Sequence, residues 1–200
     1  MKKILPLLLM LFACSPAENL VFSGTGAIHI WGENAEMAVS GSSIAQQRGF
    51  FGQNIHIFAP GNKNGMPSLT AIAPPYVGEA VVGRALDVPL LAMPYLSWQW
   101  EVESPPRSFG PARIIIGFRV KGNFSGLTKD GIYPKYDRIL EIPWVPPFDQ
   151  WDNTLDLSKE YAKNWPHDVL TQVNVCFFAF WVNNQATDYS ATLAAPVLFR

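Results

Sequence analysis

Tyr95-Leu96-Ser97-Trp98-Gln99-Trp100-Glu101-Val102 and, shortly after it, Ala112-Arg113-Ile114-Ile115-Ile116-Gly117-Phe118-Arg119-Val120 are the stretches whose reading decides the fold. In the first, the even positions are Leu96, Trp98, Trp100 and Val102, and the odd ones are Tyr95, Ser97, Gln99 and Glu101. That period of two is the pattern of a strand with one buried face. In the second, Ile114, Ile116, Phe118 and Val120 alternate with Arg113, Ile115, Gly117 and Arg119. A third strand, Gln172–Val182, is apolar on both sides from Val175 onward, as expected of a central strand, and Asn174 lies opposite Val173 and Val175.

The rest of the chain is written in the same way. Seventeen Pro and fifteen Gly separate short apolar runs, which suits many short strands joined by turns. Further strands are expected at Ala27–Trp31, Glu36–Ser40, Asn54–Phe58, Ser68–Ala73, Glu79–Val82, Val88–Leu91, Arg138–Ile142 and Thr192–Phe199. One short helix is expected from Ser158 to Asn164, capped by Asp156 or Ser158, with Glu160 in its first turn, Lys163 in its last and Pro166 following. The fold class is therefore all-β: an antiparallel β-sandwich or jelly roll with one short helix.

The N-terminus carries an address. Lys2 and Lys3 precede an apolar run from Ile4 to Ala13, too short for a permanent membrane span. The ending Leu11-Phe12-Ala13-Cys14 resembles the bacterial lipobox, which implies that residues 1–13 are a signal peptide and that Cys14 is lipidated. Acyl chains would hold the domain at a membrane surface. Ser15 rather than Asp after the cysteine favours the outer membrane, facing the periplasm. Residues 14–19 then form a tether and residues 20–200 a single sandwich domain.

Cleavage removes 13 of 200 residues and two lysines, leaving 13 basic side chains against 16 acidic ones. A mildly acidic domain is a poor nucleic-acid partner. Cys176 is then the one remaining cysteine, so no internal disulfide forms and stability must come from packing. Seven Trp, thirteen Phe and six Tyr supply that packing.

The segments YLSWQWEVE (95–103), ARIIIGFRV (112–120), NTLDLSKEYAKNW (153–165) and VNVCFFAFWVNNQATDYSATLAAPVLF (173–199) together resemble the bacterial domain-of-unknown-function family 3047. The resemblance implies an exported jelly-roll domain similar to carbohydrate-binding modules. This chain departs from the family in the loop before the last strand, which is rich in Asp there. Here it reads Asn183-Asn184-Gln185-Ala186-Thr187-Asp188, and Ala195-Pro196 stands where the last strand usually carries an acidic residue. A metal or ligand role resting on those carboxylates does not carry over.

Candidate sites are weighed against plainer roles. Trp98 and Trp100 share a face with Leu96 and Val102, so they belong in the core, where each large ring contributes several kcal/mol by burial. The opposite face offers Gln99, Glu101, Arg113 and Arg119, with Asn174. If those strands are neighbours, these planar amide, carboxylate and guanidinium groups suit sugar hydroxyls, and Gly117 leaves room for a ligand. The plainer reading is a solvated face holding an Arg–Glu pair. Pro143-Trp144-Val145-Pro146-Pro147-Phe148-Asp149-Gln150-Trp151 is either an aromatic rim presenting Trp144 and Trp151, or a lid with its rings buried.

Glu101 and Glu103 lie about 7 Å apart along one strand face, within the range glycosidases use, but such pairs are common on strands. His29, His56 and His167 lack metal-ligand spacing. Asp149, Asp152 and Asp156 lack a calcium-loop signature, and Cys176 between Val175 and Phe177 reads as a buried thiol. No nucleophile elbow, phosphate loop or dinucleotide fingerprint is present, so no metal and no cofactor is expected. The sequence thus points to a lipid-anchored, non-catalytic envelope domain binding a carbohydrate or similar polar ligand. The alternatives are a scaffold lipoprotein docking an envelope protein through the aromatic loop, and a polysaccharide-active enzyme.

Overall fold

The computed structural model describes residues 22–23, 26–32, 49–73, 78–103, 111–121, 132–145, 152–183 and 189–200. The signal peptide, Cys14 and the tether, the strand expected at Glu36–Ser40, Asp149, Trp151 and the 184–188 loop lie outside the described residues.

The strands are β1 (Phe22–Ser23), β2 (Ala27–His29), β3 (Phe50–Gln53), β4 (Phe58–Lys63), β5 (Met66–Ala73), β6 (Ala80–Pro89), β7 (Tyr95–Glu103), β8 (Ala112–Val120), β9 (Arg138–Pro143), β10 (Asp152–Asp156), β11 (Val173–Val182) and β12 (Tyr189–Phe199). One helix, α1 (Leu157–Asn164), interrupts them, and short 3-10 turns span Ile55–Ile57 and Leu170–Gln172. Asp156 caps α1 by accepting a hydrogen bond from the Lys159 amide at 2.9 Å.

Every pairing is antiparallel, in two sheets. The back sheet has the order β3-β6-β11-β8-β9, with β11 at its centre. In the front sheet β12 pairs with β7 along one edge, and β10 pairs with the far side of β7. The other edge of β12 is shared: β5 takes Tyr189–Ala194 and β2 takes Val197–Phe199. From β5 onward the chain passes repeatedly between the sheets, giving an antiparallel β-sandwich of the jelly-roll kind.

The alternation in β7 places Leu96, Trp98 and Trp100 between the sheets, with Trp98 5% and Trp100 7% exposed and their rings packed edge to face at 5.9 Å. From β8 and β11 come Ile114, Ile116, Phe118, Phe178 and Phe180. Burying one tryptophan removes about 150–250 Å² from water, an upper estimate of about 4–6 kcal/mol at 25 cal/mol/Å².

Several sequence-based boundaries need correction. The expected strands Glu79–Val82 and Val88–Leu91 are joined in one strand, β6 (Ala80–Pro89), with Leu90 and Leu91 in the turn beyond it, because Arg84 points inward: its Nη1 donates to the Ile30 carbonyl at 2.9 Å, and the guanidinium lies 5.3 Å from the Phe50 ring centre. Burial lowers the pKa of this guanidinium. Within the expected strand Asn54–Phe58, Ile55–Ile57 is a 3-10 turn leading into β4, which pairs with β5 alone among the described strands and so lies at an edge, where Pro60 is tolerated. β3 and β10 were not expected as strands.

Candidate functional site

β7 and β8, the two strands first recognised, belong to different sheets. Their outward side chains therefore lie on opposite sides of the sandwich. Gln99 and Glu101 face outward from the front sheet, while Arg113, Arg119 and Asn174 face outward from the back sheet. The structure does not bring these five residues together, and each face must be considered separately.

The outer side of the back sheet is largely closed. Val81, Ile115, Cys176, Phe177, Ala179 and Trp181 form a second apolar cluster, onto which Phe51, Ile132, Tyr133, Tyr136 and Ile139 pack. Tyr133 stacks on Phe177 at 5.3 Å, and burial, the main cause, pushes its hydroxyl up to about 12. Gly117 leaves no room for a ligand, because the Phe177 ring fills the space where a Cβ would project. Arg113 lies 3.9 Å over the Trp181 ring and pairs with Glu141 at 2.6 Å. Asn174 donates to Asp87 at 2.7 Å, and Arg119 reaches the Lys135 carbonyl at 3.4 Å. Cys176 sits at a bulge in β11, where burial pushes its thiol up to about 12. A thiol so far from ionising is a packing group.

Trp144 does not stand at a rim. It is 5% exposed and packs in the main core, and its amide donates to the Ala112 carbonyl at 2.9 Å, continuing the edge of β9. The docking loop proposed from sequence thus loses one of its two named aromatic anchors.

The outer side of the front sheet has a different character. Reading across the strands, Gln99 lies beside Ala194, Ser68 and Gly61, and the next row is Glu101, Thr192, Thr70 and Ala59. Thr70 and Thr192 share a hydrogen bond at 2.9 Å. Glu101 pairs with Lys63 at 2.6 Å, and Glu103 accepts from the Ser190 hydroxyl at 3.1 Å. Neither carboxylate lines the adjoining groove.

That groove has a definite cause. β12 carries a bulge at Ala195-Pro196, so that Ala194 faces Gln99 while Val197 faces Ser97. Ala195 adopts a left-handed conformation with φ 44°, and the Pro196 carbonyl turns to accept from the Ile30 amide at 2.9 Å. Bulges re-aim side chains and interrupt pairing, and this one falls where β5 hands over the edge of β12 to β2. A gap opens at the handover. Its volume is about 400 Å³, within the range of small-molecule sites.

Ser97, Gln99 and Val197 line the groove on the sheet itself, with Met66, Pro67 and His29 on the β5–β2 side and Asn153 and Thr154 on the β10 side. Among the described lining residues His29 is the one titratable side chain; the others are amides, hydroxyls and apolar groups. Such a lining fits a neutral, hydroxyl-rich molecule better than a phosphate or a polyanion, which would call for cationic partners.

Sequence reading found Gln99 and missed the rest of the lining. Ser97 was visible on the same odd-numbered face, but His29, Thr154 and Val197 reach the groove only through long-range pairing. Glu101 lies one row away.

No protein-family model matches the chain, so the resemblance to family 3047 gains no support from that side, and no curated protein matches it. Among solved structures, a carbohydrate-binding module of family 28 specific for non-crystalline cellulose is similar with a TM-score of 0.40 and 9% identity, covering 86% of this chain and 92% of that one. A family 11 carbohydrate-binding module from Clostridium thermocellum, in complex with a mixed-linked tetrasaccharide, has a TM-score of 0.35 and 16% identity, covering 76% of this chain and 84% of that one. At these scores the likenesses carry no argument about what this chain binds.

Proposed function

We propose that the chain is a carbohydrate-binding domain of the bacterial envelope whose ligand site is the groove on the front sheet around Gln99. The observation that carries this reading is the lining: uncharged hydrogen-bonding groups and apolar patches around a single histidine, in a depression of about 400 Å³. Sugars present that mixture, with hydroxyls at the ring edge and C–H groups on its faces. Burying such a ligand needs amide and hydroxyl partners for each desolvated hydroxyl, because an unpaired one costs about 1–3 kcal/mol. Gln99, Ser97 and Thr154 are groups of the right kind. Lipidation at Cys14 and residence at the outer membrane, facing the periplasm, belong to the same proposal and rest on the N-terminal sequence.

The test is calorimetric titration of a panel of neutral polysaccharides (a glucan, a mannan and a xylan) together with peptidoglycan fragments. A ligand should appear whose affinity falls about 5- to 10-fold on Gln99→Ala, the value of one hydrogen bond of about 1–1.5 kcal/mol. Arg113→Ala, on the opposite face, should leave affinity unchanged. Silence across the panel contradicts the proposal.

A further inference from the structure

The groove has a neighbour that its own lining does not include. Two residues before Ser97 on the same face of β7 is Tyr95, and two residues after Val197 on β12 is Phe199. These positions are paired across the strands, and the rings stack at 5.5 Å with 30° between their planes. Strand geometry puts this pair about 7 Å along the sheet from Ser97 and Val197. Tyr95 is 38% exposed, one of few large apolar side chains so open among the described residues.

An exposed ring on a soluble domain has a cost, and here that ring is braced on one side. Opposite it on β10 is Asp156, whose Oδ1 accepts from the Ser158 hydroxyl at 2.7 Å and from the Lys159 amide at 2.9 Å. Those bonds, the hydroxyl first, hold the Asp156 carboxyl below its ordinary range.

Resting on the carbohydrate reading above, we infer that Tyr95, braced by Phe199, is a second subsite, so that the ligand is an oligosaccharide of several neutral rings lying along β7. One ring occupies the groove at Gln99 and a following ring packs against Tyr95. Aromatic surface recognises the apolar face of a pyranose as it does another ring, through dispersion and offset contact. The groove selects by hydroxyls, and the aromatic pair adds affinity only for a chain long enough to reach it.

The experiment compares the disaccharide and hexasaccharide of the same glucan, mannan and xylan on the full mature chain by calorimetry. The hexasaccharide of at least one should bind about fivefold or more tighter than its disaccharide, the equivalent of about 1 kcal/mol. Tyr95→Ala should abolish that advantage while leaving disaccharide affinity intact, which also shows that the variant is folded. Tyr95→Phe should retain it. Equal affinities for short and long ligands, or an advantage untouched by Tyr95→Ala, overturns the second subsite and leaves the groove standing. Failure of every sugar to bind removes the groove reading and the subsite with it.

Discussion

Gly117 shows how a residue's role depends on which side of a sheet it faces. A glycine in mid-strand beside two arginines suggests an approach path for a ligand, yet the Phe177 ring occupies that space. Gly117→Ala would drive a methyl into a packed aromatic cluster of Phe177, Tyr133 and Phe51. Overpacking of this kind costs about 1–3 kcal/mol. Thermal denaturation should show a clear fall in Tm, while affinity for any front-face ligand stays the same. An unchanged Tm would mean that the back-sheet cover is loosely held. Trp98 and Trp100 lie in the core, as their shared face with Leu96 requires, and Trp144, which the loop sequence offered as a rim residue, is buried with them. Among the described residues, the aromatic side chain that stands exposed is Tyr95, at a strand end where the alternation pattern gives no hint of its neighbour across the sheet.

Among elements, β12 does most to create the site. Its bulge at Ala195-Pro196 is a local event, but it makes a groove only because β5 and β2 share one edge of the strand on either side of it. Ala195 holds a positive φ of 44°, a conformation costing about 1–2 kcal/mol for a residue with a Cβ and more for a β-branched one. Ala195→Val should therefore destabilise the domain by about 1–2 kcal/mol or more in denaturant titration and weaken ligand binding through the displaced Val197. Wild-type stability in that variant would contradict the backbone assigned to the bulge. β7, β8 and α1 were readable because their signals are local: a period of two, or a cap followed by charges of the right sign. β6 was read as two strands because Arg84 breaks an apolar run, and its compensation, the Ile30 carbonyl, comes from a distant segment. β4 was missed because Pro60 and Gly61 look like a turn unless the strand is known to lie at an edge.

At the scale of the whole molecule, the decisive fact is the assignment of strands to sheets. Periodicity gave β7 its buried and outward sides and marked β11 as apolar on both, but no local pattern says whether consecutive strands share a sheet, or that the outer side of β8 would be covered. β7 and β8 do not, and a binding face imagined as continuous is divided between the two outer sides of the sandwich. The back side is spent on a second apolar cluster covered by residues 132–139. On the front side a weakly charged strip runs from Tyr95 past the groove to the Lys63–Glu101 pair, with Ser68 and Ala194 buried beside Gln99. Chemical-shift mapping by two-dimensional NMR during titration with a bound oligosaccharide tests this most directly. The account predicts that shifts concentrate at Ser97, Gln99, His29 and Val197 and extend to Tyr95 with longer ligands. Shifts centred on Arg113, Arg119 and Trp181, with the front sheet silent, would contradict it.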